Sequence, residues 1–352
     1  MKVNKLTFAF FPYAAVAFIF FLLMVIPALD GRSEIEVYAD SETYEKRYLE
    51  NTDIEGGEVQ LSMNYVGPLL ILNTFSGNRY LIFLFNSLIL ILSIKIIKRS
   101  GLVFDNKYFW FLMLSPLTFI SLVSVNKEII SLFVVAILVL WVSRRWLWCL
   151  LLALVVSYAV RWQLTMYIVV VAFAFFVKDY LKFNKNFVLF CLLFSVSICY
   201  YTFIDVFSAV TAVAFHNVEE VGKSGIYTKL NQLQGSSHLG YMFAFIPKVL
   251  QLNFGLISRY ENFFDVTGAH NNIVMFLHSV VSFVLLCNLI LFRDRRYSNN
   301  IYFVLFIYLI IFALSPIFSP RYFYPAYILG GVLLSSNQNG EEITEFYKKN
   351  NK

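Results

Sequence analysis

Charge is what this chain has least of. Asp, Glu, Lys and Arg make up 14% of its 352 residues, against 59% hydrophobic ones. A soluble globular domain carries about a quarter charged residues, so no soluble domain of ordinary size fits here. A Gly-rich phosphate loop and a dinucleotide fingerprint are also missing, which removes the basis for an ATP-driven pump or a cytoplasmic nucleotide-sugar enzyme. Histidine is limited to four positions. His216, His238 and His270 lack metal-ligand spacing, and His278, early in an apolar run, reads as a hydrogen-bonded structural residue. No metal and no cofactor is expected. Cys149, Cys191, Cys199 and Cys287 all fall inside apolar runs and read as small buried hydrophobes, not as disulfides. Basic residues outnumber acidic ones, 28 to 22, but they do not cluster, which argues against a nucleic-acid partner.

What is present is a series of long apolar runs. A bilayer core about 30 Å thick takes about 20 apolar residues per helix, and only helices or closed barrels cross it. Barrel strands would be about ten residues long and would alternate in polarity; these runs are longer and do not alternate. The predicted fold class is an all-α polytopic integral membrane protein, one membrane domain over 1–352 with about 10 transmembrane helices. The expected spans are 6–28, 79–97, 107–125, 129–143, 146–160, 162–177, 186–214, 272–292, 301–318 and 322–336. The first is too long for a signal-peptide core and is expected to be a retained span. Segment 65–76 is apolar but too short to cross, which suits a re-entrant or interfacial piece.

Orientation follows the distribution of Lys and Arg. With the N-terminus inside, 17 of the 28 basic residues but only 6 of the 22 acidic ones fall on the cytoplasmic side. Both termini, including the tail 337–352, are then cytoplasmic. The two larger loops, 29–78 and 215–271, face outward, and function is expected on that side.

The first loop carries Asp40, Glu42, Tyr44, Glu45, Arg47 and Tyr48 in one helix-compatible stretch, with Asp40, Tyr44 and Arg47 on a shared face. A carboxylate beside a phenol and a guanidinium suits general-base work; a solvated acidic loop is the plainer reading. In the second loop, 240–258 suits an amphipathic interfacial helix, with Lys248 and Arg259 toward headgroups. Three short turns place charge at the outer hydrocarbon edge: Asn126–Lys127–Glu128, Arg161 and Arg321. Unpaired charge there is costly, and an arginine fork there can clamp phosphate. Snorkelling helix ends are the alternative. Pro116, Pro316, Pro320 and Pro325 are expected to kink spans near this edge and open a cavity.

A first span, an outer loop with Asp40–Ser–Glu–Thr–Tyr44, the segment SPLTFISLVSVNKE, Arg161 following Glu128 by 33 residues, and SPRYFYPAY near the end form a recognisable layout. It resembles bacterial O-antigen and surface-polysaccharide polymerases, and more distantly lipid-linked sugar transferases of the GT-C superfamily. The resemblance covers most of the chain in layout and about 25 residues in motif. It implies a periplasm-facing enzyme of the bacterial inner membrane that joins undecaprenyl-diphosphate-linked repeat units. Arg161, Arg321, Arg259 and Lys127 would hold the diphosphate. Asp40 would be the base, with Glu42 and Glu128 behind it. The paired arginine-to-glycine spacing of some polymerases is not clean: Gly330 and Gly331 follow Arg321, and Gly268 follows Arg259. The GT-C reading instead has Asp40 catalyse transfer of one sugar from a polyprenyl-phosphate donor. Partners implied are the polyprenyl-linked glycan, membrane lipid and a chain-length regulator. A flippase or transporter would predict internal repeats and midplane charges. No convincing repeat is present, and Asp205 is the only acidic residue well inside a run. A non-catalytic assembly subunit leaves the outer arginines without a purpose.

Overall fold

The computed structural model describes residues 39–49, 66–100, 115–123, 127–205, 225–254, 300–316 and 320–335, with 26–29 and the separate positions 22, 125, 278–280, 282, 283 and 287. Among these residues every regular element is helical and there is no strand. The helices are α1 (Ala39–Leu49), α2 (Val66–Thr74), α3 (Arg79–Arg99), α4 (Pro116–Val123), α5 (Glu128–Arg144), α6 (Leu147–Val160), α7 (Trp162–Tyr180), α8 (Lys185–Thr202), α9 (Gly225–Gly235), α10 (Gly240–Phe254), α11 (Asn300–Phe312) and α12 (Tyr324–Ser335). A 3-10 turn, Pro320–Phe323, leads into α12.

Helix starts follow local chemistry. The Asn78 side-chain oxygen accepts the N–H groups of Tyr80 at 3.0 Å and Leu81 at 3.2 Å, capping α3. Asn184 caps α8 through the Asn186 N–H at 2.9 Å. Pro116 and Pro320 open α4 and the 3-10 turn, and Pro325 is second in α12, positions where a missing N–H costs nothing. Of the prolines expected to kink spans, Pro325 begins a helix instead, while residues 101–114 and 317–319, ahead of Pro116 and Pro320, lie outside the described residues. Among the described residues Pro247 stands in the interior of a helix, α10.

Three helices, α3, α7 and α8, are long and apolar enough to cross a membrane. The pair α4 and α5 would make a fourth if counted as one span, but its axis turns by 106° at the break. That is neither a straight span nor the antiparallel hairpin expected around 126–128. Helices α6 and α11 are apolar but short. At 14 and 13 residues they reach only about 20 Å, less than a hydrocarbon core of about 30 Å. Runs 6–28 and 272–292 lie almost wholly outside the described residues, and the tail 337–352 entirely so. In the run 186–214 the helix α8 ends at Thr202, a turn follows at Phe203, Ile204 and Asp205 are again helical with Asp205 exposed, and 206–214 lie outside the described residues.

Helix α5 is apolar on every side and is packed against α3, α4, α6, α11 and α12. Helix α11 continues this core toward α7, α8 and α12, with Tyr167 edge-on to Tyr308 and Phe175 edge-on to Phe303. The outer helices turn apolar stripes outward at helical spacing: Leu84, Leu88 and Ile91 on α3; Leu151, Val155 and Tyr158 on α6; Val169, Phe173 and Phe176 on α7; Phe187, Phe190 and Phe194 on α8. Trp146 and Trp148 stack at one end of α6, and Tyr158 lies near its other end, as interface belts do. Water is a poor solvent for such an exterior and lipid a good one. Of the four cysteines, all free, Cys149 is buried but Cys199 is exposed, so the expectation of uniformly buried thiols fails.

One end of the bundle collects basic residues. Arg144 donates to the Arg99 carbonyl at 3.4 Å, Arg145 pairs with Asp179, and Lys178 reaches Asp179 at 3.0 Å and the Asn300 side-chain oxygen at 3.1 Å. This ties the C-terminal ends of α3, α5 and α7 to the start of α11. The opposite end holds the candidate site.

Candidate functional site

Arg161 is the single residue between α6 and α7, in extended backbone conformation. Its N–H donates to the Ser157 carbonyl at 2.8 Å, and its carbonyl accepts from Leu164 at 3.0 Å. The corner is therefore closed by backbone bonds on both sides, and the guanidinium has little choice of direction. Helix α2 lies against it. A Cβ on Gly67 would sit 2.8 Å from the Ala159 carbonyl oxygen, so this contact requires glycine.

The guanidinium points into the bundle. Its Nη2 lies 3.5 Å from Glu128 Oε1, with the side chains 6% and 2% exposed. Its Cζ lies over the Tyr322 ring, 4.3 Å from the centroid, and the Arg321 Cζ lies 6.0 Å from the same centroid. The two guanidiniums are near enough to repel one another. Tyr322 is fixed from below, because Tyr308 donates its hydroxyl to the Tyr322 carbonyl at 2.7 Å. Lys127, buried at the N-terminal boundary of α5, holds its ammonium 5.2 Å from the Tyr44 ring centre. Among the described charged side chains at this end, Lys127, Arg161, Arg321 and the carboxylate Glu128 come from the three short turns.

Two oxygens here have no hydrogen-bond partner: Glu128 Oε2 and Ser131 Oγ. Both residues are nine-tenths or more buried. They stand three positions apart on α5, hence on one face of the helix. Buried polar atoms are satisfied in the great majority of cases, so two orphans on one helix face call for a polar partner.

The first-loop stretch does form a helix, α1, whose Tyr44 is buried with Leu69, Leu72, Ile82 and Val125. Glu45 pairs with Arg79 at 2.7 Å and pins α1 to the start of α3. Asp40 and Glu42 lie in the first turn of α1; their side chains are outside the described residues. By helix register Asp40 shares a face with Tyr44, the residue that meets Lys127. Arg259 and Asn126 lie outside the described residues altogether. Sequence reasoning placed Lys127, Glu128, Arg161 and Arg321 at one edge. It missed Ser131 and the platform role of Tyr322. A serine three positions after a lone glutamate was the only signal for the former.

A second polar centre caps the end of α11. Tyr227 donates to the Ser315 carbonyl at 2.7 Å, Asn231 to Pro316 at 2.9 Å and Gln234 to Leu314 at 3.2 Å. Lys248 is fully buried, bonded to the Gln234 side-chain oxygen and to the Ser315 carbonyl at 3.0 Å. Lysine near a headgroup, as the sequence suggested, is the wrong picture: Lys248 is buried, and side chains of α9 and α10 supply donors to the Leu314, Ser315 and Pro316 carbonyls just past α11. Burial pushes the Lys248 ammonium well below the usual lysine range. The α9–α10 turn passes so close that a Cβ on Gly240 would meet the Gln234 carbonyl oxygen at 2.8 Å. His278 has both ring nitrogens engaged, by Ser115 at 3.2 Å and Ser282 at 3.3 Å, which suits a structural histidine.

Among the described residues no group of His, Cys, Asp and Glu is arranged to hold a metal. Compared with known proteins, the chain matches no family model, no curated protein and no solved structure.

Proposed function

We propose that the protein is an outward-facing glycosyltransferase of the bacterial inner membrane that joins undecaprenyl-diphosphate-linked repeat units, a polymerase of O-antigen or exopolysaccharide. The observation that carries this reading is the meeting of Arg161 and Arg321 on the Tyr322 ring beside Glu128, at the end of an apolar bundle. Two guanidiniums on one aromatic platform suit a diphosphate, which arginine binds through its planar fork. A single carboxylate next to them suits activation of an acceptor hydroxyl. The outward apolar stripes suit a lipid-carried substrate that stays in the bilayer. The topology that goes with this reading has about 10 spans, cytoplasmic termini and outer loops 29–78 and 215–271. The glycan acceptor, membrane lipid and a chain-length regulator are the partners. The GT-C variant, transfer of one sugar from a polyprenyl phosphate with Asp40 as catalyst, differs in donor and in product length.

A transporter draws support from one feature, the 106° break between α4 and α5 with charge at the break. Deletion of the gene separates the classes. Surface glycan that stops at one repeat unit supports the polymerase. Long chains lacking one sugar branch support the single-sugar transferase and sink the polymerase. Complete loss of surface repeats transfers the reading to a flippase.

A further inference from the structure

We infer that Arg161 keeps Glu128 out of action until a diphosphate draws the guanidinium away, and that Glu128 and Ser131 then take the acceptor hydroxyl between them. This rests on the proposed transferase reading and assigns the order of events at the same site. The Arg161–Glu128 contact is a single one at 3.5 Å, long beside the 2.7–2.9 Å typical of a charge-assisted bond. It uses one carboxylate oxygen and leaves the other, with Ser131 Oγ, unpartnered. A hydroxyl group would satisfy both atoms in one sense: it donates to Glu128 Oε2 and accepts from the Ser131 hydroxyl. Meanwhile the guanidinium carbon lies over the Tyr322 ring, a cation–ring contact that persists while the N–H groups turn from Glu128 toward an anion shared with Arg321.

The acceptor oxygen attacks the anomeric carbon of the donor sugar, and a new C–O bond forms. The bond from that carbon to the diphosphate oxygen breaks, and its electron pair leaves with the diphosphate between Arg161 and Arg321. The acceptor proton passes to Glu128. When the diphosphate departs and Glu128 loses that proton to solvent, Arg161 pairs with it again. The base is thereby masked whenever no donor is bound, which suppresses activation of water. Ser131 contacts the acceptor and contributes nothing to the donor.

The test measures binding of a polyprenyl diphosphate by the full chain in vesicles of neutral lipid, with inorganic pyrophosphate as the soluble probe and anionic phospholipid vesicles as the control. Glu128→Gln removes the competitor for Arg161, so it should bind both diphosphates about tenfold tighter, within the usual range of coupling between two sites, while joining of units is abolished. A structural glutamate would give the opposite sign, weaker binding and weaker transfer together. Should Glu128→Gln not fold, Glu128→Asp keeps the charge on a shorter arm and should tighten binding to a smaller degree. Ser131→Ala should bind diphosphate as wild type does and raise the acceptor KM. Unchanged or weaker diphosphate binding by the Glu128 variants, with its dependence on Arg161 intact, overturns the gate and leaves the transferase reading standing. Absence of any Arg161-dependent diphosphate binding, or equal binding of anionic phospholipid, overturns both.

Discussion

Replacing Arg161 with Met leaves the Glu128 carboxylate charged inside an apolar bundle with its ion-pair partner removed. At 3.5 Å the attraction lost is about 5 kcal/mol for an effective dielectric constant of about 20. Measured losses for removing one partner of a buried pair are about 3–5 kcal/mol, much of it the desolvation of the ion left behind. Glu128→Met should show a similar loss, now from a guanidinium whose remaining support is Tyr322. The double variant removes both charges and fills the space with thioethers. It should lose no more than about 2 kcal/mol, because a buried pair replaced by packed apolar groups is often neutral. Unfolding in a fixed detergent, followed by tryptophan fluorescence, gives the ranking directly: the double variant lies above both single ones. Two results would refute the reasoning. One is a double variant whose loss equals the sum of the singles. The other is a silent Arg161→Met, which would mean that the pair is hydrated and worth no more than the roughly 0–1 kcal/mol of a surface pair.

Gly67→Ala would normally favour a helix by up to about 1 kcal/mol, yet here the Cβ meets the Ala159 carbonyl oxygen at 2.8 Å, so a loss of about 1–3 kcal/mol and reduced glycan joining are expected. Unaltered stability and activity in that variant would mean that α2 does not brace the Arg161 corner. Lys248, with its folded-state value pushed below the ordinary one, contributes stability that is fully present above about pH 10.4 and is lost as pH falls through the folded-state value. Unfolding midpoints of wild type should therefore rise with pH across that window, and Lys248→Met should flatten the slope; an equal slope in both proteins contradicts the burial argument.

The sequence made the ends of the bundle legible and its middle illegible, for one physical reason. Against an apolar background each charge stands out, so Lys127, Glu128, Arg161 and Arg321 could be assigned to one edge, and Arg144, Arg145 and Lys178 to the other, from spacing alone. The α1 helix was readable from the Asp40–Tyr48 pattern. Which charge meets which was not readable, because the Arg161–Glu128 pair joins residues from two different turns and Tyr322 comes from a third. Lys248 was misassigned for the same reason. Its partners, Gln234 and the Ser315 carbonyl, enter only after α9 and α10 fold back, and nothing near Lys248 in the chain encodes that return.

The interior offers a sharper case. Helices α3 and α5 are both Leu/Ile/Val-rich, yet the apolar window of α3 is only 33% buried within the protein while α5 is enclosed by its neighbours. In water these positions would differ in polarity, since an exposed face must be polar. In lipid they need not, because acyl chains are as apolar as leucine, and the pattern that separates centre from rim is erased. What distinguishes α5 is at its first turn, where Glu128 and Ser131 would be untenable on a lipid-facing helix. A lone acid and hydroxyl on one face of an apolar run therefore identify the enclosed helix.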